Sequence, residues 1–133
     1  MVGVALHEMT HAMGRVPYGP QPDIFDLFRF TAPGTRLFSN NTPAPAAYFS
    51  VDGGTTTLAA YGENSDPSDF LNAYPVGSDP SSPLTSEDAF NQYYDANTKQ
   101  YLTPVDLTQM DVLGFNPGEL RRRHPRSSVM VRR

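Results

Sequence analysis

The stretch His7-Glu8-Met9-Thr10-His11-Ala12-Met13-Gly14 reads HExxHxxG and organises this chain. It lies in a largely apolar run without proline, residues 2–13, and that pattern predicts a buried helix ended by a left-handed cap at Gly14. A spacing of four places His7 and His11 on one helical face, where both imidazoles can reach one divalent metal ion such as zinc. Glu8 is then placed to act as a general base. The alternative is a short helix whose histidines are hydrogen-bonded core residues.

Length and composition indicate one loop-rich domain. The 133 residues include 13 prolines, 10 glycines and no cysteine, so metal ligands must come from His, Asp, Glu or Tyr. No apolar run approaches the roughly 20 residues of a membrane span, and the N-terminal stretch lacks a signal-peptide layout. Residues 1–118 carry a formal charge of −9, which argues against nucleic acid as a partner and leaves carboxylates for calcium. Residues 119–133 carry +5 and are expected to form a disordered basic tail.

Short elements are predicted along the rest of the chain. Residues 24–30 fit a strand or a helical turn, and residues 31–47 are expected to be irregular. Two β-prone runs flank Asp52-Gly53-Gly54 and predict a β-hairpin over residues 47–61. These elements, with the helices, predict an α+β fold.

Two further helices are predicted beyond a long polar loop at residues 62–83. A sequence resembling a capping box opens a short helix over residues 85–94. A clearer helix starts from Thr103, with threonine as the N-cap, proline at the first helical position and aspartate at the third. Gly114 is expected to end it.

Several phrases resemble the metzincin zinc metallopeptidases. HEMTHAMGR resembles their active-site helix, whose signature is HExxHxxGxxH or a variant ending in Asp. LTPVDLTQMDVLGF resembles the C-terminal helix of that clan's catalytic domain. DLFRFTAPGTR, AYFSVDGGTTTLAAYG and SDPSDF are similar to secreted bacterial metallopeptidase-like proteins with an HExxHxxGR helix. The resemblance covers most of residues 2–116.

This resemblance implies that residues 1–118 are the catalytic domain, or its C-terminal part, of a zinc-dependent endopeptidase acting on peptide or protein substrates. His7 and His11 would be zinc ligands, Glu8 the general base and Gly14 the turn that redirects the chain. The implied fold consists of an active-site helix, a loop-rich middle with a β-hairpin and a C-terminal helix. The competing hypothesis is a catalytically incompetent remnant or binding module that keeps the HExxH helix.

The resemblance also implies a β-sheet upstream of the active-site helix, preceded by the export signal of a secreted protein. Without that sheet, the apolar helix should leave a contiguous patch beside Leu6 and His7. We therefore expect this chain to be marginally stable, to self-associate and to have little peptidase activity by itself.

The third zinc ligand is where this chain departs from the metzincin signature, because Pro17 occupies that position. Asp26 is the first candidate, since an unpaired carboxylate in its apolar surroundings would be unfavourable, although a salt bridge to Arg15 or Arg29 would also satisfy it. Asp23 is the second candidate, with a turn or helix cap as the alternative.

Other polar side chains have simpler expected roles. Glu63, Asp66 and Asp69 should cap the loop or form a weak calcium site. Tyr18 or Tyr61 could donate a hydrogen bond to a tetrahedral intermediate, or could simply pack.

Overall fold

The fold joins a small antiparallel sheet to two helices. A computed structural model describes residues 2–39, 45–63, 65–71, 87–93 and 99–116. The elements in chain order are α1 (Val2–Ala12), a 3₁₀ turn (Phe25–Phe28), β1 (Arg29–Ala32), β2 (Thr35–Arg36), β3 (Tyr48–Phe49), β4 (Ala59–Ala60) and α2 (Pro104–Val112). The strands pair in the order β2-β1-β3-β4. The predicted α+β class is confirmed. Within the described ranges, no helix has the length and apolar character needed to cross a membrane.

The β3–β4 hairpin forms as predicted, with Phe49 facing Ala59 across the ladder. Its turn requires glycine, because Gly54 has a φ of 88°, and a Cβ there would lie 2.8 Å from Cδ1 of Phe30. Asp52 stabilises the turn by accepting hydrogen bonds from nearby hydroxyl and amide groups. These bonds lower the pKa of its carboxyl to about 2.

The predicted limits of α2 are also confirmed. Thr103 is the extended N-cap residue, and Oδ2 of Asp106 accepts a hydrogen bond from its backbone N–H at 2.7 Å, completing a capping box. Pro104 occupies the first helical position, where its missing N–H leaves no intrahelical bond unmade. Gly114 follows the helix with a φ of 100°.

The helix predicted over residues 85–94 is wrong for its described part, residues 87–93, which form turns and isolated bridges. Oδ1 of Asp88 accepts a hydrogen bond from the Phe90 N–H at 2.7 Å. Such a local side-chain bond offers the backbone an alternative to the helical ladder. Thr85 lies outside the described residues, as do residues 72–83 of the polar loop and the basic tail.

The prediction for residues 24–47 needs a second correction. Both alternatives offered for residues 24–30 occur, since a 3₁₀ turn leads directly into β1. The stretch expected to be irregular contains the end of β1 and all of β2, which pair Phe30 with Arg36.

The core is mainly aromatic and lies between the sheet, α2 and the segments around residues 70 and 90. Its buried members include four fully buried phenylalanines, Phe25, Phe49, Phe70 and Phe90. The helix α1 packs onto this core through one face, whose buried residues are Gly3, His7 and Thr10. A Cβ at Gly3 would lie 2.3 Å from Gln100 Cβ, so glycine permits the close approach.

The prediction that α1 is buried is wrong, because only one of its faces is covered. Val2, Val4 and Met9 are 73%, 56% and 62% exposed. A cavity of about 430 Å³ lies between this helix and α2, lined mainly by the apolar side chains of Leu6, Met9, Met13, Leu102, Leu107, Met110 and Phe115. The helix therefore presents apolar surface to solvent on the sides that do not carry the histidines.

Candidate metal centre

The two histidines of α1 converge at one point. Nε2 of His7 lies 2.8 Å from Nε2 of His11, and the rings meet edge to face. Their side chains are only 11% and 16% exposed. The four-residue spacing predicted this shared face.

The opposite nitrogen of each ring is fixed by a backbone carbonyl. Nδ1 of His7 lies 3.0 Å from the Ala89 oxygen, and Nδ1 of His11 lies 2.9 Å from the Arg15 oxygen. A carbonyl oxygen only accepts, so each Nδ1 is assigned a proton, which leaves Nε2 as the ring atom that can present a lone pair. Two lone pairs at this distance repel unless a proton or a metal cation lies between them. Carbonyl bonds of this kind orient metal-ligating histidines.

Two carboxylates from the described part of the polar loop approach the same point. Oδ1 of Asp69 lies 3.8 Å from Nε2 of His7, and Oδ2 of Asp66 lies 3.7 Å from Nε2 of His11. Asp69 is 6% exposed, and its Oδ1 has no hydrogen-bond partner in the described ranges. Burial raises the pKa of Asp69 to about 7, with the charge of Asp66 adding to the rise and a hydrogen bond from Ser65 opposing it.

The predicted role of loop cap is confirmed for Asp66. Its Oδ1 accepts hydrogen bonds from the N–H and the hydroxyl of Ser68 at 2.9 and 2.7 Å. Asp69 differs because the loop directs its buried carboxylate toward His7. Glu63 is exposed.

The structure gives Asp26 and Asp23 the alternative roles considered for them. Asp26 is buried and forms an ion pair with Arg29, whose Nη1 lies 3.0 Å from its Oδ1. Asp23 accepts backbone hydrogen bonds from Phe25 and Tyr18 at 2.9 and 2.7 Å, as a turn cap does. Every ion pair of a histidine in the described residues involves Asp66 or Asp69. The geometry therefore does not support either residue as the third ligand.

The other residues predicted to take part in the reaction, Glu8, Tyr18 and Tyr61, form no described contact with the side chains of the histidine pair. Glu8 follows His7 on α1 and is exposed. Tyr18 is 65% exposed, and its hydroxyl donates to the backbone oxygen of His11 at 3.2 Å. Tyr61 is a core residue whose hydroxyl accepts a hydrogen bond from Gln109. Its position in the core fits the alternative of simple packing, and burial raises the pKa of that hydroxyl.

Arg15, which the sequence suggests only as an alternative ion-pair partner of Asp26, is a buried structural residue beneath the histidines. Arg15 is fully buried, forms an ion pair with Asp106 of α2 and places its guanidinium carbon 3.3 Å from the ring centroid of Phe90. The His7 ring stacks on the same phenylalanine at 4.3 Å. The available sequence signal was the arginine next to the helix cap Gly14.

Arg15 belongs to a buried polar network that joins three segments. Oδ2 of Asp88 and Oδ2 of Asp106 lie 2.7 and 3.1 Å from the hydroxyl oxygen of Thr103. That hydroxyl carries one proton and can donate to only one carboxylate at a time. Burial, together with the charge of Asp106, raises the pKa of Asp88 to about 7. A proton on Asp88 lets it donate to Thr103, which then donates to Asp106.

This network predicts that the thermal midpoint falls as the pH rises from 5 to 8. Because the pKa of Asp88 is higher in the folded chain than in the unfolded chain, its contribution to stability is greatest at low pH and is lost through pH 7. Asp88→Asn mimics the protonated acid and should reduce this pH dependence, as measured by calorimetry at several pH values. Glu87→Gln, which changes an exposed residue, is the control and should keep the wild-type pH dependence. If the thermal midpoint of Asp88→Asn depends on pH as strongly as that of the control, Asp88 is not the titrating group.

The described residues contain no group of three or more His, Asp or Glu side chains already arranged to hold a metal ion. The centre consists instead of a converged histidine pair and two carboxylates, whose oxygens lie 3.8 and 3.7 Å from the histidine nitrogens, beyond hydrogen-bonding distance. Comparisons with family models, curated proteins and solved structures gave no match. The functional argument therefore rests on the geometry of this centre and on the sequence pattern.

Proposed function

We propose that this chain is a zinc-dependent peptidase that holds its metal at His7 and His11. The observation that carries the proposal is the pair of Nε2 atoms 2.8 Å apart, each on a ring whose Nδ1 lies against a carbonyl oxygen. The bonds to the carbonyls leave the two Nε2 atoms to share a proton or a metal cation in a largely buried position. Imidazole nitrogens suit zinc, and the fold contains the helix, hairpin and C-terminal helix expected of a metzincin-like domain.

The protein groups have distinct tasks in the proposed reaction. Zinc, when bound, polarises the scissile carbonyl and lowers the pKa of water. The carbonyls of Ala89 and Arg15 orient the two imidazoles. The exposed carboxylate of Glu8, next to His7, takes the proton from the attacking water as a general base.

His7→Gln should abolish stoichiometric zinc binding. Glutamine can still donate to the Ala89 carbonyl but presents no imidazole lone pair to the metal, so one of the few protein–metal bonds is lost. Elemental analysis after dialysis measures the zinc content, and circular dichroism checks the fold. Gln21→Ala, which changes an exposed loop residue, is the control. Equal zinc content in wild type and His7→Gln would rule out this site.

A second candidate function is a binding module that keeps the HExxH helix without catalysis. The exposed apolar residues of α1 favour it, because Val2 and Met9 are 73% and 62% exposed and could contact a partner or a second copy of the chain. Light scattering and casein hydrolysis on the zinc-loaded chain distinguish the two. Zinc-loaded chain that associates but cleaves nothing would support the binding module.

A further inference from the structure

We propose that Asp69 is the third protein ligand of the metal, supplied by the loop rather than by the segment that follows α1. This inference rests on the proposed function, because it assumes the histidine pair binds the ion. Oδ1 of Asp69 lies 3.8 Å from Nε2 of His7, and the side chain is 9% exposed. That oxygen has no hydrogen-bond partner within the described ranges.

The backbone around Asp69 is held by the core, so its carboxylate is positioned rather than free to move. The backbone oxygen of Asp69 accepts a hydrogen bond from the Gly62 N–H at 2.8 Å. The Phe70 N–H donates to the backbone oxygen of Phe90 at 2.6 Å. Phe70 also bridges to Tyr61 and to Asn91. The segment that contains Phe90 also supplies the Ala89 carbonyl that orients His7. One set of core contacts thus places both His7 and Asp69.

These atoms favour a positive charge between them, which a proton or a bound metal cation can supply. A buried carboxylate oxygen without a donor is unfavourable, and it faces imidazole lone pairs that are themselves acceptors. Two histidines and one carboxylate form a recognised donor set for catalytic zinc, which keeps a fourth position open. The two Nε2 atoms lie 2.8 Å apart and Asp69 Oδ1 lies 3.8 Å from His7, so these side chains must shift for all three to bind one ion.

Asp66 is less suited to this role than Asp69. Its side chain is 35% exposed, and its Oδ1 already accepts two hydrogen bonds from Ser68. It therefore remains partly solvated and engaged as a loop cap without the metal. Asp26 is satisfied by Arg29.

The test compares zinc affinity in the wild type with that in Asp69→Asn, His7→Gln and the matched control Asp26→Asn, by competition with a chromogenic chelator. Asp69→Asn should weaken binding at least tenfold, because even changes one shell further out commonly weaken it 10–100-fold. Asp26→Asn should bind like the wild type, provided that circular dichroism shows it folded. With Co²⁺ in place of zinc, the visible absorption spectrum should change in Asp69→Asn, because one anionic ligand is lost.

The outcomes separate this inference from the proposed function. If Asp69→Asn keeps the wild-type zinc affinity and Co²⁺ spectrum while His7→Gln loses binding, then Asp69 is not a ligand and the proposed histidine site still stands. A wild-type chain that takes up no zinc would overturn both. Thermal unfolding separates ligation from a purely structural role. Ligation is supported if metal-free Asp69→Asn unfolds at or above the wild-type midpoint and if zinc raises its midpoint less than it raises that of the wild type.

Discussion

Glu8→Gln should lower whatever peptide hydrolysis the zinc-loaded chain shows by about 10²–10⁴-fold while leaving the zinc content unchanged. Glutamine keeps the shape and hydrogen-bonding capacity of the side chain but does not accept a proton from water at neutral pH. Because Glu8 is exposed, the substitution should not disturb the fold. The measurements are casein or fluorogenic-peptide hydrolysis and zinc content on the same samples.

Glu63→Gln is the matched control, since Glu63 is also exposed and its predicted role is outside the reaction. It should retain wild-type activity. Residual activity in Glu8→Gln within a few-fold of the wild type would show that another group is the base.

Arg15→Met should lower the free energy of unfolding by about 3–5 kcal/mol, because removing one partner leaves a buried charge uncompensated. Arg15 and Asp106 are both fully buried, so Asp106 would lose its cation without gaining solvent. Urea denaturation followed by circular dichroism measures the change.

Two companion variants make this prediction specific. Arg36→Met removes an exposed arginine and should change stability much less. The double variant Arg15→Met/Asp106→Asn should recover part of the lost stability, because asparagine removes the uncompensated charge and its oxygen can still accept the Thr103 N–H bond. A loss in Arg15→Met no larger than that in Arg36→Met would contradict the role assigned to the buried pair.

The sequence predicted the elements whose signals are local. The helix α1 and the convergence of its histidines follow from apolar content and four-residue spacing. The hairpin follows from two β-prone runs about a glycine turn, and α2 follows from a capping box at Thr103. Each of these depends on neighbours within a few residues, which is what a sequence pattern records.

The features that the sequence did not indicate depend on contacts between distant segments. Asp69 is 58 positions after His11, and its carboxylate lies near His7 in a segment where Phe70 bridges to Tyr61 and Asn91. Asp26 is closer in sequence, but its carboxylate pairs with Arg29, three residues further along the chain. The same reason explains Arg15, whose partner Asp106 lies on α2.

The converging donors at the metal centre are nitrogen and oxygen, and the chain contains no cysteine to add sulfur. Nitrogen and oxygen donors follow the general affinity order of the divalent first-row metals, in which copper exceeds zinc and nickel also competes. Ligand chemistry therefore gives this centre little power to choose zinc over copper. Under the proposed function, we therefore expect the identity of the bound metal to depend on which ions are available to the chain more than on its ligands.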